Sequence, residues 1–387
     1  LSILTIEGGE KMIKSVKIRL IPTKEQELLM YKSCGVARFA YNWALAKWEQ
    51  EYKQGLKPSK YSLKKEFNNT IKKDLNYSWL YEVSGQITVQ AFEDLNTAYT
   101  NFFKGLSKYP RFKTKKSFRK SFYVRYDRMK FKDGIVNIEK VGKVKYKTNY
   151  DIPNLDKYYN PRCSFDGKYW YLIFGYEQSE NQAELNNDLS VGIDLGVKDL
   201  AAVSCMDKPI KNINKSKKVR KLKKKLKRLQ RKLSRKYEAN KQGNKFVKTN
   251  NIIKLEKTIK LIHRKLTNIR NNHIHQATAS IVNLKPYRVV MEDLNISAMM
   301  KNKYLAEKIA EQKFYEFIRQ MKYKCEFNNI EFIQADRFYP SSKLCSYCGE
   351  KKESLKLKER VFTCENCCLT MDRDKNASLN LSRYKSA

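Results

Sequence analysis

Long apolar runs are missing from this sequence. No stretch approaches the roughly 18 consecutive apolar residues of a membrane helix, and no signal-peptide pattern opens the chain. The expectation is a soluble, cytoplasmic protein with no membrane partner. Acidic residues are scarce: 40 Asp+Glu face 80 Lys+Arg, a formal net charge of +40. That imbalance calls for a polyanionic partner, most directly nucleic acid. Histidine is scarcer still, with 3 in 387 residues. His263, His273 and His275 lie in or just after a helical stretch and are assigned no chemistry. The 9 Cys, four of them in metal-ligand spacing, fit a reducing compartment better than a disulfide framework. What is present is 41 % hydrophobic and 12 % aromatic residues. That is too much for a disordered polycation and enough for about two or three domains.

Gly8-Gly9-Glu10-Lys11-Met12 matches what a purine-rich ribosome-binding sequence ahead of a start codon would encode, so residues 1–11 are expected to be a translated leader and Met12 the true start. From Lys14 to Ile21, Val16, Ile18 and Leu20 alternate with Lys17 and Arg19, predicting a half-buried strand with a basic outer face that Pro22 stops. Thr23-Lys-Glu-Gln26 reads as a capping box. The helix it opens carries Leu28, Leu29, Tyr31, Val36, Phe39, Ala40, Trp43, Ala44 and Trp48 on a core-facing stripe. Helical sequence continues to about Phe103. Tyr109 to Phe122 then interleaves cations with aromatics, which suits phosphate contacts combined with stacking. The candidate contacts there are Arg111, Lys113, Lys115, Lys116, Arg119 and Lys120. Val124 to Glu177 is β-rich, with turn signals at Asp133-Gly134 and Asp166-Gly167. The early strand is expected to join this region, with the helices inserted between them. Gln178–Asn187 reads as a linker.

Ser190 to Ser204 predicts a strand, a turn at Gly196 and a second strand, with Asp194 inside the apolar run. A carboxylate there is costly to bury unless paired, so Asp194 is either a turn or cap residue or a metal ligand. The most charged segment follows. Lys215 to Lys236 contains fourteen Lys/Arg and no acid, with Val219, Leu222, Leu226, Leu229 and Leu233 at 3-4 spacing. Ile252, Leu255, Ile259, Ile262, Leu266 and Ile269 repeat that rhythm. The two segments, joined by polar Tyr237–Asn250, predict an antiparallel helical hairpin with an apolar seam. Its cationic faces offer Lys221, Lys224, Arg228, Arg231 and Lys232 to phosphates. Tyr287 to Glu292 is a strand ending in a carboxylate. A helix over Leu305–Phe327 and a strand over Ile330–Ala335 complete this part.

Cys345-Ser-Tyr-Cys348 and Cys364-Glu-Asn-Cys367 form two C-x2-C pairs separated by fifteen residues. Each pair supplies two thiolates from a tight turn, the pattern of a structural zinc site with no open coordination position. Cys368 is an extra thiol beside them. Asp372 and Asp374 then start a final helix, and either suits an N-cap. Asp194, Glu292 and an Asp at that helix start can converge across a mixed α/β sheet. Ionised together they need cations, and oxygen ligands favour Mg2+ or Mn2+. Two such ions about 4 Å apart can activate a water and stabilise a leaving oxygen at a phosphodiester. The residues by themselves thus read as a metal-dependent nuclease or strand-transfer enzyme on a basic scaffold.

The chain resembles the transposon-encoded OrfB/TnpB family, relatives of the type V CRISPR effector nucleases. The resemblance rests on Lys17-Ile-Arg-Leu-Ile-Pro-Thr23, Ala37-Arg-Phe-Ala-Tyr-Asn-Trp-Ala44 and Tyr109-Pro-Arg-Phe-Lys113 in the first half. In the second half it rests on Gly192-Ile-Asp-Leu-Gly196, Glu292-Asp-Leu-Asn295, Phe338-Tyr-Pro-Ser-Ser-Lys343, the four Cys and Asp372-Arg-Asp-Lys-Asn-Ala377. It implies a multidomain α/β protein. An N-terminal wedge β-barrel (12–23 and 106–183) would be interrupted by a helical recognition insert (24–105). A RuvC-like, RNase H-fold nuclease domain (188–340 and 372–387) would contain the helical hairpin (215–270) and receive an inserted zinc ribbon (341–371). The resemblance also implies RNA-guided cutting of double-stranded DNA, with a noncoding guide RNA from the transposon end, a short flanking DNA motif, two Mg2+ ions and one structural Zn2+. It assigns catalysis to Asp194, Glu292 and Asp374, the last chosen over Asp372 because the family's Asp lies two residues before Asn. Cys368 stands where a Gly commonly follows the last zinc Cys, and Ser378 replaces a common Ala. A DNA transposase, a catalytically silent RNA-guided repressor and a plain zinc-ribbon DNA-binding protein remain as alternatives, and monomer or dimer is left open.

Overall fold

The alternation of Val16, Ile18 and Leu20 with charged neighbours forms strand β1 (Met12–Ile21), whose three apolar side chains are buried. The computed structural model describes residues 12–115, 120–149, 151–153, 155, 157–178, 184–356 and 359–385. The expected leader, Lys116, Arg119 and part of the linker lie outside them. Thr23 and Gln26 close the capping box reciprocally and start helix α1 (Lys24–Lys53). Helices α2 (Lys60–Asn69) and α3 (Gln86–Phe103) pack on α1 through rings such as Trp43 on Phe67 at 5.0 Å and Trp43 on Phe92 at 6.2 Å. Leu28 does not belong to the core face: it is 57 % exposed. It lies about 100° around the helix from Leu29, so only one of the two can face inward.

The chain then returns to the sheet through β2 (Ser121–Tyr123), β3 (Phe131–Lys132), β4 (Ile135–Ile138), β5 (Gly142–Lys147), β6 (Tyr159–Phe165) and β7 (Trp170–Gln178). The seven strands run β2-β6-β7-β1-β5-β4-β3, a half-barrel with β1 at its centre. Asp133 and Gly134, both at positive φ, make the tight β3–β4 turn. Contacts divide the chain into two units at Gln178, and this sheet with its three helices is the first.

The second unit is built on β8 (Asn186–Leu195) and β9 (Ala201–Val203). After them come α4 (Lys217–Ala239), a ribbon of β10 (Lys241–Gln242) and β11 (Lys245–Phe246), and α5 (Asn250–Val282). The segment expected as a polar link therefore contains two short strands. The α4–α5 hairpin closes over Val219, Ile262 and Leu266, with Leu222, Leu226, Leu229 and Ile269 against them. α5 runs past the hairpin because Ile274, Ala277, Ile281 and Val282 continue its stripe into the core beneath the sheet. Strand β12 (Pro286–Glu292) pairs in parallel with β8, and β13 (Glu331–Ala335) in parallel with β12. The order is β13-β12-β8-β9.

Between β12 and β13 lie α6 (Ile296–Met299), α7 (Ala306–Gln312) and α8 (Phe314–Phe327). The single helix expected over Leu305–Phe327 is split. Lys313 adopts φ 56 and ψ 46, which ends α7, while Gln312 Nε2 donates to the carbonyl oxygens of Gly196 and Val197. β14 (Val361–Thr363) and β15 (Thr370–Asp372) form a ribbon, and α9 (Arg373–Ser382) closes the fold.

Candidate active site and metal centre

Strand periodicity decides which side chains face α9. Val191, Ile193, Val289 and Met291 belong to one core with α5 and α8. Val290 belongs to another with Ala335 and Leu381 of α9. Because residues two apart share a face, Asp194 follows Gly192 and Glu292 follows Val290 onto the α9 side. They come from neighbouring parallel strands, one step beyond the paired Ile193 and Met291.

Gly192 lets α9 come this close. A Cβ there would lie 2.0 Å from the carbonyl oxygen of Ser378 and 2.3 Å from the amide nitrogen of Ser382. The other end of α9 is tied down by Lys375, whose Nζ donates to the carbonyl oxygens of Val203, Ser204 and Met206 at 3.3, 2.8 and 2.8 Å. Asp372 is the N-cap, its Oδ1 accepting from the amides of Asp374 and Lys375. Asp374 sits in the first turn. One of its oxygens pairs with Arg373 at 3.2 Å, and the other lies 3.9 Å from where a Cβ on Gly196 would be.

Asp194, Asp372 and Asp374 share a cleft of about 190 Å³ with Gly196, Lys198 and Lys375. Burial raises the Asp194 carboxyl well above its ordinary range, and the charges of Glu292 and then Asp374 raise it further. The structure thus brings the three sequence-predicted carboxylates into electrostatic reach. The donors are all oxygen, and the site is short of positive charge, which fits a hard divalent cation.

The four thiols are gathered more tightly. Their ligand atoms all lie within 4.8 Å of one another, the one such group of three or more among the described residues. Cys345 Sγ is 3.5 Å from Cys367 Sγ, and Cys348 Sγ is 3.6 Å from Cys364 Sγ. Thiolates about 2.3 Å from a tetrahedral zinc would be about 3.8 Å apart, so the spacing fits that ion. The backbone amide of Cys367, aided by that of Asn366, holds the Cys364 thiol down to about 7, which favours the thiolate. Gly349 and Cys368 follow the two pairs, both at positive φ, 79° and 57°.

The predicted nucleic-acid contacts separate into groups. Lys221, Lys224, Arg228, Arg231 and Lys232 are all exposed on α4, and Arg111 and Lys115 are exposed in the first unit. Lys113 turns inward over the Tyr41 ring at 3.5 Å, and Lys120 lies over Tyr31 at 4.7 Å. Within the basic segment Lys223 does meet acids: Glu311 of α7 at 2.6 Å and Glu307 at 3.3 Å. The sequence reading did not single out the side chains that hold the acids in place. Ser341 donates to Glu292, and Asn376 and Asn380 bond to the segment before the first zinc knuckle. Spacing on one helix face was the only available sign for the two Asn.

Comparison with known proteins agrees in chain order. Residues 12–57 match a helix-turn-helix domain model of OrfB proteins, although they form here a strand and one 30-residue helix. Residues 174–303 match the OrfB "Probable transposase" model, and 314–381 the "Cas12f1-like, TNB domain". A Streptomyces pristinaespiralis protein named "Putative RNA-guided DNA endonuclease" is 28 % identical over 96 % of this chain and 89 % of its own length. "Putative RNA-guided DNA endonuclease InsQ" of Escherichia coli K12 is also 28 % identical, over 96 % of this chain and 92 % of its own. Among solved structures, a Cas12f1 chain from a complex with sgRNA and target DNA has the same fold. The TM-score is 0.58 at 15 % identity, over 96 % of this chain and 99 % of that one. These matches follow one another along a chain whose carboxylate cleft and four-thiol centre fall inside them, and over nearly its whole length the chain is similar to the transposon-encoded OrfB/TnpB proteins.

Proposed function

We propose that the protein is an RNA-guided DNA endonuclease that hydrolyses phosphodiesters of double-stranded DNA beside a short flanking motif. The observation that carries this reading is the approach of Asp194, Glu292 and Asp374 on the α9 side of the sheet, close enough for the two other charges to raise the proton affinity of Asp194. Asp194, on an interior strand, would be the shared ligand for two Mg2+ ions, with Glu292 and Asp374 completing the pair of sites. When bound, those ions supply water activation and stabilisation of the leaving oxygen. Arg373 and Asp372 orient Asp374, one by an ion pair and the other by capping its helix. The four Cys hold one structural Zn2+.

Recognition is delegated in this reading. Guide RNA pairs with the target strand, and the protein reads backbone shape and the flanking motif. The guide is a noncoding RNA from the transposon end. The exposed cations of α4 meet phosphates, consistent with the absence of local acid partners for Lys221, Lys224, Arg228, Arg231 and Lys232 among the described residues. Residues 12–23 and 106–183 serve as the wedge, 24–105 as the recognition insert, 188–340 with 372–387 as the nuclease and 341–371 as the ribbon.

The test is Asp194→Ala in the protein purified with its own RNA. RNA and target-DNA binding should persist within about 3-fold, while Mg2+-dependent cleavage falls at least ~1,000-fold, as when a group acting directly on the transition state is removed. Cleavage at the wild-type rate would reject the assignment. Strand joining in addition to cutting would move the protein to the transposases.

A further inference from the structure

The segment between β13 and the first zinc knuckle is sewn to α9. Asn376, fully buried, brackets Cys345: its Nδ2 donates to the carbonyl oxygen of Leu344 at 2.6 Å, and its Oδ1 accepts from the amide of Ser346 at 2.9 Å. One turn on, Asn380 Nδ2 donates to the carbonyl oxygens of Ser341 and Leu344 at 2.8 and 2.7 Å. Arg383 adds a bond to the carbonyl oxygen of Ser346. Ser341, 2 % exposed, lies in the same segment and donates its hydroxyl to Glu292 Oε1. The backbone on either side of one zinc ligand is therefore gripped by the helix that carries Asp374, and the strand of chain leading to it grips Glu292.

Leu344's carbonyl oxygen is shared by Asn376 and Asn380, but only Asn376 bonds on both sides of Cys345 with one side chain. The two partners of Asn376 are backbone groups beside a metal-ligating Cys, and buried backbone groups must be satisfied where they stand. Asp374 is only two residues away on the same helix. A carboxylate ligand whose free oxygen is hydrogen-bonded holds one rotamer, and loss of such a partner typically weakens metal affinity about 10- to 100-fold.

We propose that Ser341 and Asn376 are positioning residues that make the carboxylate site depend on the zinc knuckle: Ser341 fixes the rotamer of Glu292, and Asn376 transmits the shape of the Cys345 turn to the helix bearing Asp374. This rests on the nuclease reading of the three carboxylates and names what sets their geometry. The zinc centre then governs binding of the catalytic ions without touching them.

The experiment measures Mn2+ binding to the full, zinc-loaded chain by electron paramagnetic resonance, with Asp194→Ala as background. Ser341→Ala should weaken Mn2+ binding about 10-fold and raise the Mg2+ concentration for half-maximal cleavage by a similar factor, with melting temperature and zinc content unchanged. Ser341→Thr, which keeps the hydroxyl, should restore both. Asn376→Ala should weaken Mn2+ binding to the same extent while retaining one zinc, and a zinc-selective chelator should do so in the wild type. Wild-type Mn2+ affinity in Ser341→Ala overturns the role of Ser341. Wild-type affinity after zinc removal overturns the coupling. If Asn376→Ala does not fold, Ser341→Ala and zinc removal still decide. If instead Asp194→Ala cleaves normally and binds Mn2+ as the wild type does, the nuclease assignment fails and not this inference.

Discussion

The four-thiol cluster and the carboxylate cluster proposed to hold metal are assembled in opposite ways. The four thiols come from within 23 residues, in two turns, the second of which aims its own backbone amides at the Cys364 sulfur, and they already stand at ligand spacing. The three carboxylates are spread from residue 194 to residue 374 on two strands and a helix, and their charges repel. The first is a local structure that packing then uses. The second exists only when the whole unit has folded, and Arg373 offsets only part of the repulsion. A site made of distant like charges is therefore sensitive to backbone placement, whereas a site made of adjacent turns is sensitive to its ligands.

Gly192→Ala should break the carboxylate side most severely. The new methyl would overlap two backbone atoms of α9, neither of which can rotate away. α9 must withdraw, and a displacement of about 1 Å costs roughly 100-fold in a positioned reaction. Cleavage assays should show at least that loss with zinc content intact. Cys345→Ser should do the reverse: zinc per chain falls towards zero and the ribbon becomes protease-sensitive, while the half-barrel unit keeps its circular-dichroism signal.

Lys113 sharpens the comparison, because there burial acts on a single cation and not on a cluster of like charges. Burial holds its amine down to about 8, with Asp94 opposing and Arg162 assisting. The unfolded chain keeps that proton to about 10.4. The cost is thus full below pH 8 and is relieved as pH rises towards 10. Lys113→Met should stabilise the protein by about 2 kcal/mol at pH 7, with the advantage gone near pH 10, as read by denaturant melts at each pH. The smallest effect is expected from Cys368→Gly. Cys368 occupies the left-handed position that Gly349 fills after the other pair. Glycine there should add about 1 kcal/mol to ribbon stability and slow zinc loss to a chelator by about 5-fold. An unchanged rate would show that the strain is absorbed elsewhere.

What could be read from the sequence was what is encoded within a few residues. The alternation in β1, the Thr23–Gln26 box, the Asp133-Gly134 turn and both C-x2-C pairs depend on neighbours in the chain. The break at Lys313 did not announce itself, because no glycine or proline marks it and it is imposed by Gln312 reaching Gly196 and Val197. Lys223 was counted as an unopposed cation because its acids lie more than eighty residues away on α7. Asp194 and Glu292 were placed by strand patterning, but the bonds from Ser341, Asn376 and Asn380 arise only when three separate segments meet.

The central place of β1 has a consequence for the time course of folding. Met12 pairs with Gln178, and Ile21 with Lys145, so the strand made early is bonded on both sides by strands made long afterwards. At about 5 to 20 residues per second of synthesis, roughly 8 to 33 s separate Met12 from its partner. During that interval β1 has two open edges and three apolar side chains without cover. Lys17 and Arg19 on its other face, with Lys14 ahead of the apolar residues on their own face, keep such a strand from pairing with a second nascent chain.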